Sequence, residues 1–197
     1  MRFLIVYCHP CPESFGAALR DTALAALARG GHETRVLDLY GMGFDPVMSA
    51  EERRGYHTAG VNEQPVADHL AALRWCEALL FVYPTWWYGL PAMLKGWLDR
   101  VWVPHATFGM PQGRKPIGRV LTQIRFIGAV STLGAPWWWW RLVMSEPGRR
   151  TLMRGLKPLV HPRAKTLWLA LHRMDNASDE DRRRFLAKVE TALGRLR

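Results

Sequence analysis

The sequence lacks a Gly-rich phosphate cradle after its first apolar run, which excludes a Walker loop or a G-x-G-x-x-G dinucleotide fingerprint there. Cysteine is scarce: Cys8, Cys11 and Cys76 are the only three. An odd, small number does not make a secreted disulfide framework. No stretch reaches the roughly 18 to 20 clean apolar residues of a membrane span. The nearest, Phe126 to Trp140, is broken by Gly128, Gly134 and Pro136 and closed by Arg141. The opening MRFLIVYCHP holds one Arg and a short apolar run into Pro, too short for a signal-peptide core. These features together predict a soluble, cytoplasmic protein. Acids are also few in one half of the chain. Residues 95 to 173 carry fourteen Lys/Arg against Asp99 and Glu146, an excess larger than the net charge of +10 for the whole chain. Such a half suits an anionic partner, whether a nucleotide phosphate, a nucleic acid or an acidic membrane surface, or simply a solvated basic face.

What is present fits one domain spanning 1–197, long enough to bury a full core without metals or disulfides. Hydrophobic residues make up 49% and charged residues 22%, an ordinary globular balance. The ten tryptophans are unusual, and such an excess points to flat-ring ligands, interfaces or a lipid boundary.

The hydrophobic pattern predicts strands at Phe3–Tyr7, Thr34–Leu39, Ala78–Tyr83, Val120–Ser131 and Ala164–Leu171. It predicts helices at Phe15–Ala28, Met48–Arg54, Val66–Cys76, Pro91–Trp102 and Asp179–Leu196, and a partly helical stretch from Trp137 to Leu156. Val103 to Gly118, with its prolines and glycines, reads as an irregular loop. Strands that alternate with helices imply right-handed crossovers and a parallel sheet covered on both faces. The expectation is an α/β, flavodoxin-like three-layer sandwich with a five-stranded sheet of order 2-1-3-4-5. In that topology a ligand sits at the carboxyl ends of the strands, at the switch point beside strands 1 and 3.

The loops at that end carry the least ordinary residues. After strand 1 comes CHPCPESF. Ser14 can cap the following helix and donate to a phosphate, His9 can donate a ring N–H, and the helix N-terminus favours an anion. The same loop spells C-x-x-C, which leaves open a dithiol pair or two incidental cysteines. After strand 3 come Pro84, Thr85, Trp86, Trp87, Tyr88 and Gly89. Adjacent aromatics on a surface turn need a partner, either a planar ring or a subunit interface. After strand 4 come Ser131, Thr132, Leu133, Gly134, Ala135 and Pro136, small and hydroxyl residues that let backbone approach a ligand.

YPTWWYGLPAMLKGWLDRVW at Tyr83–Trp102 resembles the flavin-ring loop and following helix of the NAD(P)H:quinone oxidoreductase family, of flavodoxin-like fold. HPCPESF is similar to that family's HP-x-x-x-SF phosphate loop, and Asp38-Leu39-Tyr40 with Phe44-Asp45-Pro46 to its stretch after strand 2. The resemblance runs from residue 3 to about residue 135. It implies that His9, Ser14, Phe15 and Gly16 lie along the phosphate and ribityl chain of FMN or FAD. It implies that Pro84, Thr85, Trp86, Trp87 and Tyr88 flank the isoalloxazine ring, with Thr132, Leu133, Gly134 and Ala135 where the family has a T-T-G-G turn. Phe108 falls where the family places a substrate-pocket aromatic, and Trp137 is a second substrate-site candidate. The Tyr and His that some members set after the turn are replaced here by Trp140 and Glu146, and His161 lies too far along to substitute. No metal site and no catalytic protein nucleophile are expected.

The reaction implied is two-electron, ping-pong reduction of a quinone or similar flat acceptor by NAD(P)H, in a homodimer and without nucleic acid. Arg114, Lys115 and Arg119 are placed to attract dinucleotide phosphates. The Trp137–Trp140 run with Arg141, Arg149, Arg150 and Arg154 suggests core and dimer packing, a lipophilic pocket, or an edge that touches membrane. A regulatory flavoprotein of a membrane transporter and a one-electron carrier stand as alternatives.

Overall fold

The computed structural model describes residues 1–111, 113 and 116–196. Arg114 and Lys115 lie outside the described residues. β1 (Arg2–Tyr7), β2 (Glu33–Asp38) and β3 (Ala78–Pro84) form one sheet with β6 (Phe126–Leu133) and β7 (Lys165–His172). Its order is β2-β1-β3-β6-β7, and every pairing is parallel. This is the 2-1-3-4-5 order expected. β3 is buried along its whole length, which is why ALLFVYP reads as one apolar run and not as an alternating pattern.

The pleat sends alternate residues to opposite layers. Phe3, Ile5, Tyr7, Leu80, Val82 and Val130 pack beneath α1 (Phe15–Arg29) and α6 (Asp179–Gly194). Leu4, Val6, Cys8, Leu79, Phe81 and Tyr83 face the other way, towards α3 (Ala67–Trp75) and α4 (Ala92–Val101). The result is three layers. Between the layers' ends, α2 (Ala50–Gly55) is tied to α4 by Arg100, which donates to Glu52 at 2.6 and 2.8 Å.

One boundary moves by more than two residues. The fourth strand of the sheet begins at Phe126, not Val120. Gly118–Arg119 instead forms β5, a short antiparallel rung with β4 (Phe108–Gly109), and Leu121 bridges Val160. Val120, Leu121 and Ile124 have the composition of a strand, but Thr122, Gln123 and Arg125 interrupt it. Gln123 turns to donate to the Leu73 carbonyl at 3.0 Å. The irregular loop from Val103 therefore contains a small hairpin. The stretch after β6 is helical in pieces: a wide π-turn at Trp139–Val143, α5 (Pro147–Arg150) and a second π-turn at Thr151–Leu156. Among the described residues no helix is long and apolar enough to cross a membrane.

Candidate functional site

At the carboxyl end of β1 the chain leaves the sheet through residues 8 to 14 and enters α1. Ser14 is the N-cap, its side chain accepting from the Ala17 N–H at 3.2 Å. The Tyr7 hydroxyl lies 3.5 Å from the Ser14 hydroxyl, and either of the two can donate to the other. The His9 Nδ1 accepts from the Cys11 N–H at 3.0 Å, so neutral His9 carries its proton on Nε2, pointing a donor away from the loop. A Cβ at Gly16 would stand 3.2 Å from His9 Cδ2 and 3.3 Å from Ser14 Oγ. The missing side chain is what lets His9 lie over the helix start. Phe15 packs part-buried onto the α1-side core. A helix N-terminus, a hydroxyl and an imidazole N–H thus converge, a donor set suited to a phosphate.

Of the two cysteines in this loop, Cys8 is buried and Cys11 exposed, and both are free thiols. Burial pushes the Cys8 thiol up to about 12, so it is not a ready thiolate. Its backbone N–H continues the sheet, donating to Val82 O at 3.0 Å.

The turn after β3 is the sharpest feature of the site. Gly89 N–H donates to Trp86 O at 3.0 Å, and the two central residues, Trp87 and Tyr88, both have positive φ, 47° and 63°. This is a left-handed two-residue turn of the kind that favours Gly and Asn. Two bulky aromatics there cost of order 1–3 kcal/mol each. The strain presents Trp87 to solvent at 94% exposure. Trp86 stands edge-on to His9, ring centroids 6.4 Å apart, and so links the two loops. Beneath the turn, Thr85 Oγ1 and Ser131 Oγ lie 2.8 Å apart, both buried, and Thr85 N–H donates to Thr132 O at 2.6 Å. These bonds bind the β3 loop to the β6 loop.

Two adjoining hollows open there. One of ≈ 510 Å³ runs between Trp87 and Tyr88 on one side and Leu133 to Pro136, Trp138 and Trp139 on the other. Another of ≈ 590 Å³ lies among Pro84 to Trp87, Thr132 to Gly134, Met174 and Asp175. They share Thr85, Trp87, Leu133 and Gly134. Volume, aromatic walls and few polar groups match a flat-ring ligand site. The structure therefore gathers the predicted residues of all three loops at one end of the sheet.

Three predicted residues, Phe108, Trp137 and Arg119, stand elsewhere. Phe108 sits half-buried in the β4 rung, outside the lining of either hollow. Trp137 lines a separate groove of ≈ 390 Å³ behind the Trp run, with Trp140, Arg149 and His172. Arg119 is an exposed partner of Phe108 in the hairpin. His161 lies with Met1 and Glu77 at the opposite end of the sheet.

At the positions where Tyr and His were looked for, Trp140 is buried, stacks on Trp168 at 5.4 Å and points its indole N–H at Tyr88 O, 3.4 Å away. Glu146 is held by Arg149 and Arg141. Neither can stand in as a proton donor to a ring in the cleft. The sequence reading passed over His172, the last residue of β7, whose ring lies 5.7 Å from Trp140. Burial lowers its pKa, so it is neutral near pH 7. Its place at a strand's carboxyl end was the signal that could have found it.

Comparison with known proteins agrees with this fold. A "Ribosyldihydronicotinamide dehydrogenase-like protein traD" from Penicillium crustosum is 35% identical over 128 residues, 57% of this chain and 46% of that protein. NAD(P)H dehydrogenase (quinone) 1 of Cavia porcellus is 34% identical over 116 residues, 51% of this chain and 42% of its own length. The chain spans about half the length of the curated relatives it matches. Among solved structures, the NAD(P)H:quinone oxidoreductase from Methanothermobacter marburgensis superposes with a TM-score of 0.83 at 25% identity, covering 100% of this chain and 99% of that one. The family model described as flavodoxin-like fold matches residues 1–142, and the chain belongs to that family, Flavodoxin_2.

Proposed function

We propose that this protein is a flavin-dependent NAD(P)H oxidoreductase that reduces quinones or similar flat acceptors by two electrons, in ping-pong order and as a homodimer. The strained Trp86–Gly89 turn carries the reading, because it exposes an aromatic face across an open cleft beside an anion-binding helix start. The residues fit an FMN, or the FMN half of FAD. His9 Nε2–H, Ser14 and the first amides of α1 would hold the phosphate. Gly16 leaves the room a ribityl chain needs. Trp86, Trp87 and Tyr88 would flank the ring, with the Thr132–Ala135 turn against its edge. When bound, the flavin supplies the two-electron exchange between the nicotinamide and the acceptor, and the protein supplies position and exclusion of water. Trp87, Trp138 and Trp139 would shape the space that nicotinamide and acceptor take in turn. The relatives named as quinone dehydrogenases support that pair of substrates.

The test is reconstitution with FMN and with FAD separately, followed by the visible spectrum and stopped-flow mixing with NADPH and NADH. The expected result is a yellow protein bleached by one or both nucleotides and reoxidised by a quinone. A protein that stays colourless with both flavins overturns the reading.

A further inference from the structure

The segment between β6 and α5 has an outward face that the flavin reading uses only at Trp138 and Trp139, where it borders the cleft. Five of the seven residues from Trp137 to Val143 are large, apolar and exposed. Leu142, Trp137 and Val143, at 68%, 56% and 52% exposure, stand furthest out. Scattered apolar residues on a surface need no explanation, but a contiguous run does. The segment is not loose. Trp140 is buried beneath it on Trp168, and Gly148 packs against the backbone of Gly89, where a Cβ would come within 3.4 Å. The face is therefore held outward by a fixed underside.

Its charge has one sign. Arg141, Arg150 and Arg154 are exposed along the segment and the turn that follows. The one acid, Glu146, is 13% exposed and already paired with Arg149 and Arg141. An exposed Trp/Leu/Val surface edged by arginines matches the interface of a bilayer with anionic headgroups, where indole rings sit at headgroup level, aliphatic side chains enter the acyl boundary and cations meet phosphate. A second copy fits less well. A two-fold contact sets the same patch against itself, bringing arginines together with no unpaired carboxylate on the segment to meet them.

We propose that the Trp137–Val143 face, with Arg150 and Arg154, docks this protein reversibly on an anionic lipid surface. Trp138 and Trp139 of the same segment line the cleft, so docking brings the cleft mouth to the bilayer. If the flavin reading holds, acceptors dissolved in lipid reach the ring without crossing water. The docking itself does not depend on that reading.

Flotation of the full chain with vesicles of phosphatidylcholine alone, and of phosphatidylcholine mixed with phosphatidylglycerol, tests this. Recovery is expected with the anionic vesicles, little with the neutral ones, and loss at high salt. Each arginine near an anionic surface is worth roughly five-fold in partition, so R150Q/R154Q should lower it roughly twenty-five-fold. L142S/V143S should lower it roughly ten-fold or more. Far-UV circular dichroism checks that each variant folds, and NADPH oxidation with a water-soluble quinone should be unchanged in both. Equal recovery on neutral and anionic vesicles, or variants that float like the parent, overturns the proposal. So does a parent that stays off vesicles while L142S/V143S turns a sedimenting dimer into a monomer, which would give the face to a second copy. A protein that floats as expected but takes up no flavin leaves docking standing and removes only the redox reading.

Discussion

Trp87 has a left-handed backbone, φ 47°, and almost no contact with the protein around it. In the folded chain it contributes strain without burial. Such a position persists where the side chain serves a ligand. Substituting Asn, which tolerates this conformation, should raise apo stability by about 0.5–1 kcal/mol. The same change should weaken flavin binding up to about ten-fold, the size of one lost aromatic contact. Denaturant melts of the apo protein and flavin titration check the two halves. Loss on both counts would mean that the turn is structural. The aromatic triplet was visible in the sequence because no core explains it. Its handedness was not, since neither central residue is Gly and the conformation is imposed by the Gly89-to-Trp86 bond and by Trp140 at the Tyr88 carbonyl.

At the scale of elements, α4 and the loop after β2 interlock. A Cβ at Gly96 would fall 2.2 Å from the Pro46 carbonyl oxygen and 2.4 Å from its Cβ, a clash with backbone that no rotamer relieves. Gly96→Ala should therefore cost about 3 kcal/mol despite the better helix propensity of Ala, read as a lower urea midpoint. The adjacent tie between α2 and α4 depends on Glu52. Burial raises its pKa, but the Ser49 amide and hydroxyl and the Arg100 guanidinium outweigh that and hold the carboxyl below the usual range. The folded pKa is thus depressed. The stability it contributes is present above the unfolded value of about 4.3 and is lost as pH falls through the folded value. Glu52→Gln should cost about 2 kcal/mol near pH 7. The gap to the parent should close in acid, and urea midpoints followed over pH check this. A gap that stays constant with pH would deny the ion pair its role.

These elements also show what a sequence discloses. β1 and β3 are buried on both faces, so their apolar runs announce them, and strand order follows from the alternation with helices. Val120–Arg125 misled because local composition favours a strand while Gln123 is drawn off by α3. The Trp137–Leu156 stretch was opaque because its wide turns are set by distant partners, Trp168 for Trp140 and Gly89 for Gly148. The loop residues of the candidate site were legible because the topology fixes where loops 1, 3 and 4 converge. Phe108 was drawn from resemblance alone, and a hairpin holds it elsewhere.

Across the whole molecule the candidate site belongs to no single element. The α1 start, the β3 turn and the β6 loop meet only when the sheet is complete, so a ligand there binds the folded state and not the unfolded chain. Flavin should then stabilise the protein by mass action, about 2.7 kcal/mol at a concentration one hundred times Kd. For a chain of this length each kcal/mol is worth roughly 2–4 °C, so saturating FMN should raise Tm by about 5–10 °C. The shift should grow with the logarithm of FMN concentration, whereas riboflavin, which lacks the phosphate, should give a smaller one because it leaves His9 Nε2–H and the α1 amides unanswered. Equal shifts with FMN and riboflavin would place the binding energy in the ring platform alone and deny the β1 loop its part. A loss of the FMN shift in Ser14→Ala, with the apo melt lowered by only the ~1 kcal/mol of a lost helix cap, would tie the phosphate to that loop.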